Sequence, residues 1–238
     1  MDEQNVAVST VMQERTSDVD CEFCVELDSP IRSRFARVYG ETLASRVICE
    51  TESFVALPTI GQLFKSSLLV LPKQHVETIS SLEARDLKHL ISLIDRLAGK
   101  VSTLGFPIVF EHGAKCGTGH GCGIYHAHVH IVPVPSQVDC GRLLGRHCQD
   151  TTDLIDAWLQ LRNADNYLVA RDTHGSTGLI DLRDSKDSDF PSQYMRRRLA
   201  ELYGVQKSWD WRSYQTIEPW LIETVHKLRV DRSILHSS

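Results

Sequence analysis

Three histidines stand two residues apart near the middle of the chain, His126, His128 and His130, separated by apolar Ala127, Val129 and Ile131. In an extended strand such residues share one face at steps of ~6–7 Å, whereas in a helix the middle ring would turn away from the other two. Val129, Ile131 and Val132 favour the strand. Three imidazoles are therefore expected to line one surface while the opposite surface packs on a helix. Near neutral pH an imidazole can act as nucleophile, base or metal ligand. Taken alone, the tract reads equally as a catalytic row, a metal-binding tract or an accidental cluster. A second chemical signal is the pair Cys21 and Cys24, whose C-x-x-C spacing sets two sulfurs on one tetrahedral ion or simply marks two buried thiols.

The flanking sequence supplies elements that would position these groups. Arg46–Thr51, Phe54–Pro58 and Ser66–Lys73 are short, aliphatic and separated by polar or Pro/Gly breaks, as strands of one sheet are. From Ser81, Leu82, Leu87, Leu90, Ile91, Ile94, Leu97 and Leu104 recur at three- and four-residue spacing and predict one long amphipathic helix over 82–104, with Glu83 near its start and Gly105 at its end. Phe106–Glu111 and Gly123–Val134 predict two more strands joined by a glycine-rich loop, Gly113–Gly123. Beyond them come a helix over 152–161, a hairpin of Tyr167–Arg171 and Thr177–Arg183, a helix from Pro191 to Gly204 and a final helix over 218–229. The expected fold class is α+β, with residues 1–18 a flexible lead-in, 19–138 one unit and 139–238 a C-terminal extension.

Composition narrows the function. With 238 residues, 42% of them hydrophobic, and a formal net charge of −5, the chain can fill a core and offers no bulk attraction to nucleic-acid backbones or anionic membranes. The longest apolar runs fall far short of the roughly 20 residues a membrane helix requires. The acidic first twenty residues lack the features of a secretory signal, so a cytoplasmic location with reduced thiols is expected.

The order C-x-x-C, a strand ending Leu71-Pro72-Lys73-Gln74-His75, a long helix, a Gly-rich loop and then His126-Ala127-His128-Val129-His130-Ile131-Val132 resembles the histidine triad (HIT) superfamily over about Cys21–Pro135. The signature His-φ-His-φ-His-φ-φ, with φ apolar, is matched at every position. The resemblance implies a HIT-like fold, an antiparallel sheet with a long packed helix, to which a helical and hairpin extension is added. It implies an enzyme in which His128 attacks the α-phosphorus of a nucleotide conjugate, a phosphoanhydride or a phosphoramidate, to form a nucleotidyl-imidazole that water resolves. His126 and His130 would complete the catalytic set, with His130 on the phosphate or leaving group. Keeping His at position 130 tilts the reading toward a hydrolase; a nucleotidyltransferase or phosphorylase, or a zinc protein that binds nucleotides without turnover, are the alternatives. A homodimer is a further expectation from relatives.

Departures from the common pattern bear on the substrate. Gly121-Cys122-Gly123 stands where many relatives have Gly-Gln-Ser, and Phe110-Glu111-His112-Gly113 where they often carry an Asn-containing turn. Main-chain donors of Gly121, Cys122 and Gly123 are expected at the phosphate, and Glu111, His112 or His120 as the replacement acid. Relatives with the C-x-x-C pair complete a zinc site with a histidine after a strand and the first triad histidine, which implies a structural zinc held by Cys21, Cys24, His75 and His126. In the extension, the run Arg196–Arg198 is either a solvated helix face or a phosphate contact, for which Arg197 is the candidate. Trp209, Trp211 and Trp220 are expected as packing anchors. Cys116, Cys122, Cys140 and Cys148 fit no ligand pattern.

Overall fold

A computed structural model describes residues 21–118, 124–183, 185, 189–206, 209–212 and 218–229. The lead-in 1–18 and the loop residues His120, Gly121, Cys122 and Gly123 lie outside the described residues. The strands are β1 (Cys49–Glu50), β2 (Phe54–Pro58), β3 (Leu68–Pro72), β4 (Phe106–Ala114), β5 (Val129–Val134), β6 (Gln149–Thr151), β7 (Asn166–Arg171) and β8 (Thr177–Asp181). They form one eight-stranded sheet in the order β1-β2-β3-β5-β4-β7-β8-β6, every neighbouring pair antiparallel. The architecture is α+β, as the sequence predicts.

The helices are α1 (Glu22–Asp28), α2 (Arg34–Tyr39), α3 (Ala84–Val101), α4 (Cys140–Leu144), α5 (Leu154–Gln160), α6 (Tyr194–Leu202) and α7 (Glu218–Leu228). In α3 the apolar residues Leu87, Leu90, Leu93, Ile94, Leu97 and Val101 are all buried, with Asp86 in the first turn and Lys100 in the last. Both charges suit the helix dipole. The helix is shorter than its apolar periodicity suggests: Leu82 closes a preceding 3-10 turn and Leu104 is 38% exposed beyond the C-terminus.

Each strand presents alternate residues to opposite faces. Phe54, Ala56, Val70, Val109, Val129, Ile131, Tyr167 and Val169 pack with α3 and with Trp158 of α5. On the other face Ile108, Phe110, Val132, Leu168 and Ile180 pack with Leu143 of α4 and Met195 and Leu199 of α6. Further along this second face, Phe23 of α1 covers Val55, Leu57, Leu69 and Leu71. Helices thus cover both faces, and β2, β3 and β5 are buried throughout.

Strand β7 pairs with β4 from Val109↔Arg171 to Ala114↔Asn166, so the sheet runs on into the extension expected after residue 138. The elements the sequence reading does not anticipate are α1, α2, α4 and β6. All are short; Gln149–Thr151 carries no hydrophobic alternation, so nothing in its composition marks it as a strand. The ladder also begins later than expected around the histidines. His126, Ala127 and His128 precede β5, and Ala127 N–H donates to the carbonyl of Val76 at 2.7 Å.

Candidate active site and metal centre

The ladder of β5 begins at Val129, so His126 and His128 lie on the segment leading into it, and the three imidazoles make different contacts. His126 is 0% exposed and turns toward α1. Its Nδ1 lies 3.4 Å from Cys21 Sγ and 3.5 Å from Cys24 Sγ, and its Nε2 is 2.9 Å from the carbonyl oxygen of Pro72. An N–H at Nε2 donates to that carbonyl and leaves the Nδ1 lone pair facing the sulfurs. His75, just past β3, brings its Nδ1 to 3.2 Å from Cys24 Sγ. Cys21 is the N-cap of α1 and Cys24 lies three residues on, one helical turn later, so both sulfurs emerge on one side. All four donor atoms lie within 4.8 Å of one another. Zinc–sulfur and zinc–nitrogen bonds at tetrahedral angles demand S···N separations of roughly 3.5 Å, so the donor set fits a Cys₂His₂ ion with no open position.

His128 is placed differently. Its Nδ1 lies 2.7 Å from the carbonyl oxygen of His126, so the N–H is at Nδ1 and Nε2 keeps its lone pair. The ring meets Phe23 edge-on at 5.5 Å and His130 at 5.1 Å between centroids. His130 pairs with Leu69 and Phe110 in the ladder and stacks on the Phe110 ring at 4.5 Å and 10°. Burial, and then the positive charges that His128, Arg196 and His112 would bring, push its pKa well below the ordinary histidine value. His130 is thus neutral at pH 7.

His128 and His130 open into a cavity on the second face of the sheet, between the N-terminal helices and α6. Its lining includes Glu22, Glu26, Arg34, Arg46, Thr59, Gln193, Arg196 and Trp211. Arg46 is bound to Glu26 by Nε–Oε1 at 2.7 Å and Nη2–Oε2 at 2.6 Å, and to the Pro58 carbonyl at 2.7 Å. It braces the floor of α1 over β2. His126 is not part of the lining, so of the three histidines expected in the catalytic set His128 and His130 face the cavity.

Two further expectations are revised by strand alternation and helix phase. Glu111 lies on the face of β4 opposite Phe110 and His112, 1% exposed, among Ile79, Trp158 and Tyr167. Its Oε1 accepts from Ile79 N–H at 2.9 Å, and its Oε2 accepts from Trp158 Nε1 and Tyr167 O–H, each at 2.7 Å. Desolvation outweighs these donors and lifts its pKa to about 7. Glu111 does not line the cavity, and neither does His112, although His112 lies on the same side of β4 as Phe110. Arg197 is exposed, stacked 3.4 Å over the Trp209 ring and bonded to the Ser192 carbonyl. The cavity arginine is its neighbour Arg196, which shares the inward arc of α6 with Leu199 and Ala200. Helical phase carries the signal: of three consecutive arginines, the one three and four residues before buried apolar residues must turn inward. For Glu22, Arg34 and Thr59 the sequence offers no comparable cue. Trp211, expected as a packing anchor, lines the cavity.

Comparison with known proteins bears on this geometry. The family model described as "HIT domain" matches residues 41–136, which span β1 to β5 and the triad. Residues 41–136 are thus similar to a HIT domain. Outside it lie α1, α2 and everything beyond β5. "Protein hit" of Bacillus subtilis (strain 168) is 25% identical over 99 residues, covering 42% of this chain and 68% of that protein. Among solved structures, a HIT family protein from Bacillus anthracis str. 'Ames Ancestor' is 26% identical over 49% of this chain and 74% of its own, with a TM-score of 0.37. A zinc-bound histidine triad family protein from Mycobacterium smegmatis is 19% identical over 44% of this chain and 76% of its own, with a TM-score of 0.34. The HIT domain thus accounts for the sheet from β1 to β5 and for α3, while Cys21, Cys24 and the α6 wall of the cavity come from outside it. Among the described residues no helix is long and apolar enough to cross a membrane.

Proposed function

We propose that the chain is a HIT-type nucleotide hydrolase in which His128 is the nucleophile. The observation that carries this reading is the 2.7 Å bond from His128 Nδ1 to the His126 carbonyl, which fixes the tautomer with the lone pair on Nε2 while the ring lines a cavity. In the first step Nε2 forms a bond to the α-phosphorus of a nucleotide conjugate, and the bond from phosphorus to the leaving oxygen or nitrogen breaks. The leaving group departs with the bonding electron pair and takes a proton from solvent water, and the attacking water of the second step returns one to solvent. Water then attacks the phosphorus, the P–N bond breaks, and a nucleoside monophosphate and free His128 result. Neutral His130 can donate or accept one hydrogen bond at the phosphoryl oxygens without competing for a proton.

The Cys21, Cys24, His75 and His126 cluster is read as a structural zinc site that ties α1 to the segment bearing the nucleophile. A zinc ion there would cross-link three stretches of chain and hold the His126 carbonyl in place; it has no position for substrate. The test is a covalent one. Incubation with labelled nucleoside phosphoramidates and dinucleoside polyphosphates, followed by rapid denaturation and peptide mapping, should recover an acid-labile nucleotidyl group on His128, absent from His128→Asn. Turnover with label on any other residue would sink the assignment.

A further inference from the structure

One wall of the cavity comes from α6 and the 209–212 turn, far outside the HIT domain. Its central residue is Arg196, 6% exposed. The guanidinium Nε donates to the Trp209 carbonyl and Nη2 to the Gly61 carbonyl, each at 2.7 Å, so the side chain bridges the 209–212 turn and the turn after β2. Burial lowers its pKa only to about 10, with Asp210 opposing, and it stays cationic at neutral pH. A guanidinium so deeply withdrawn from water, close enough to His130 to depress its proton affinity, raises the potential of the cavity where an anion would sit.

Two further observations point the same way. The lining holds three guanidiniums, Arg34, Arg46 and Arg196, against two carboxylates, Glu22 and Glu26, and Arg46 is already committed to Glu26 by two bonds. Thr59 also lines the cavity, two residues before the Gly61 carbonyl that Arg196 holds. It is 6% exposed, and its Oγ1 has no hydrogen-bond partner among the described residues. A buried hydroxyl in that condition is costly unless a ligand completes it, and a phosphate oxygen would accept its proton.

We infer that Arg196 and Thr59 form an anion subsite for a second phosphate of the substrate, beside the phosphorus that His128 attacks. The substrate class is then a nucleotide bearing at least two phosphates, the second either next along the chain or on the ribose. This inference rests on the reading of His128 as the nucleophile.

Binding distinguishes the two claims. In a His128→Asn background that blocks turnover, calorimetric titration compares 5′-monophosphates, 5′-diphosphates and 3′,5′-bisphosphates of the four common nucleosides. With Arg196 intact, one of the doubly phosphorylated forms should bind at least tenfold more tightly than the monophosphate, and which form does so identifies the source of the second phosphate. Arg196→Gln should bring that ratio within twofold, Arg196→Lys should retain part of it, and Thr59→Val should reduce it about threefold. Comparing ratios cancels any general loosening of the pocket; if Arg196→Gln fails to fold, Arg196→Lys and Thr59→Val decide. The subsite is refuted if monophosphates bind and the second phosphate adds nothing, if the gain survives Arg196→Gln, or if Arg34→Gln abolishes it in place of Arg196→Gln. If no nucleotide binds at all, the proposed function itself is overturned and the subsite with it.

Discussion

The carbonyl oxygen of His126 accepts the Nδ1 proton of His128 at 2.7 Å, while the His126 ring belongs to the Cys21–Cys24–His75 cluster. On the proposed reading one residue would complete the metal site through its side chain and orient the nucleophile through its main chain. Phe23, between the two cysteines, also meets both rings edge-on, at 5.7 Å from His126 and 5.5 Å from His128, so disturbing the cluster should be felt at His128.

Replacing His128 by Asn removes the attacking nitrogen and keeps a polar group of similar reach. Turnover should fall by at least ~10³-fold, the usual scale for losing a covalent nucleophile. Circular dichroism and metal content should be unchanged. Full activity in a folded His128→Asn protein would rule out the nucleophile.

Cys24→Ser replaces a thiolate ligand by a hydroxyl that zinc binds poorly. The variant should purify with well under one equivalent of zinc by elemental analysis, and its Tm should drop by several degrees as the link from α1 to β3 is lost. Chelation should shift the wild-type Tm downward and leave the variant's nearly unmoved. Undiminished zinc in Cys24→Ser would remove that residue from the ligand set.

Glu111 gives stability a pH dependence of its own. Its folded pKa, about 7, lies above the ordinary carboxylate value of 4.5, so the folded chain holds a proton that the unfolded chain releases between those limits. The advantage is complete below pH 4.5 and disappears as pH rises through 7, a loss of roughly 3 kcal/mol on this account. His130 acts with the opposite sign, since its depressed value favours the folded state as pH rises toward 6.5. The difference between wild type and Glu111→Gln in urea unfolding isolates the glutamate, and should shift by that amount in the variant's favour from pH 4.5 to pH 8. A difference independent of pH would mean that Glu111 stays ionised.

Two glycines separate backbone freedom from packing. A Cβ on Gly113 would be driven into the Tyr167 ring across the β4–β7 pair, whereas a Cβ on Gly99 meets nothing within 4 Å on the surface of α3. Gly113→Ala should cost about 2 kcal/mol or more, and Gly99→Ala should add about 0.5–1 kcal/mol through helix propensity. Thermal melts of the two single variants would show shifts of opposite sign.

Where burial enforces a period, the fold is legible in the sequence: Phe54–Pro58 is the strand its composition announces, and α3 follows the repeat of its leucines. The triad was recognisable by spacing, but its geometry was not. Spacing alone does not reveal that the His126 Nδ1 faces Cys21 and Cys24 while its carbonyl holds His128. Glu111 was misplaced because alternation can be counted in a sequence while the absolute face cannot, unless a partner strand is known. Arg197 gave way to Arg196 for a readable reason, helix phase. Thr59 and Arg34 reach the cavity through long-range packing that leaves no local trace.

The pairing of β4 with β7 bears on how the chain could be shortened. Trimming it to the segment shared with its relatives would strip β4 of its second neighbour along Val109–Ala114 and bare a row of main-chain donors and acceptors on a strand whose centre is apolar. Such a rim templates addition of another copy. A minimal version should therefore self-associate or precipitate even if its triad remains correctly assembled.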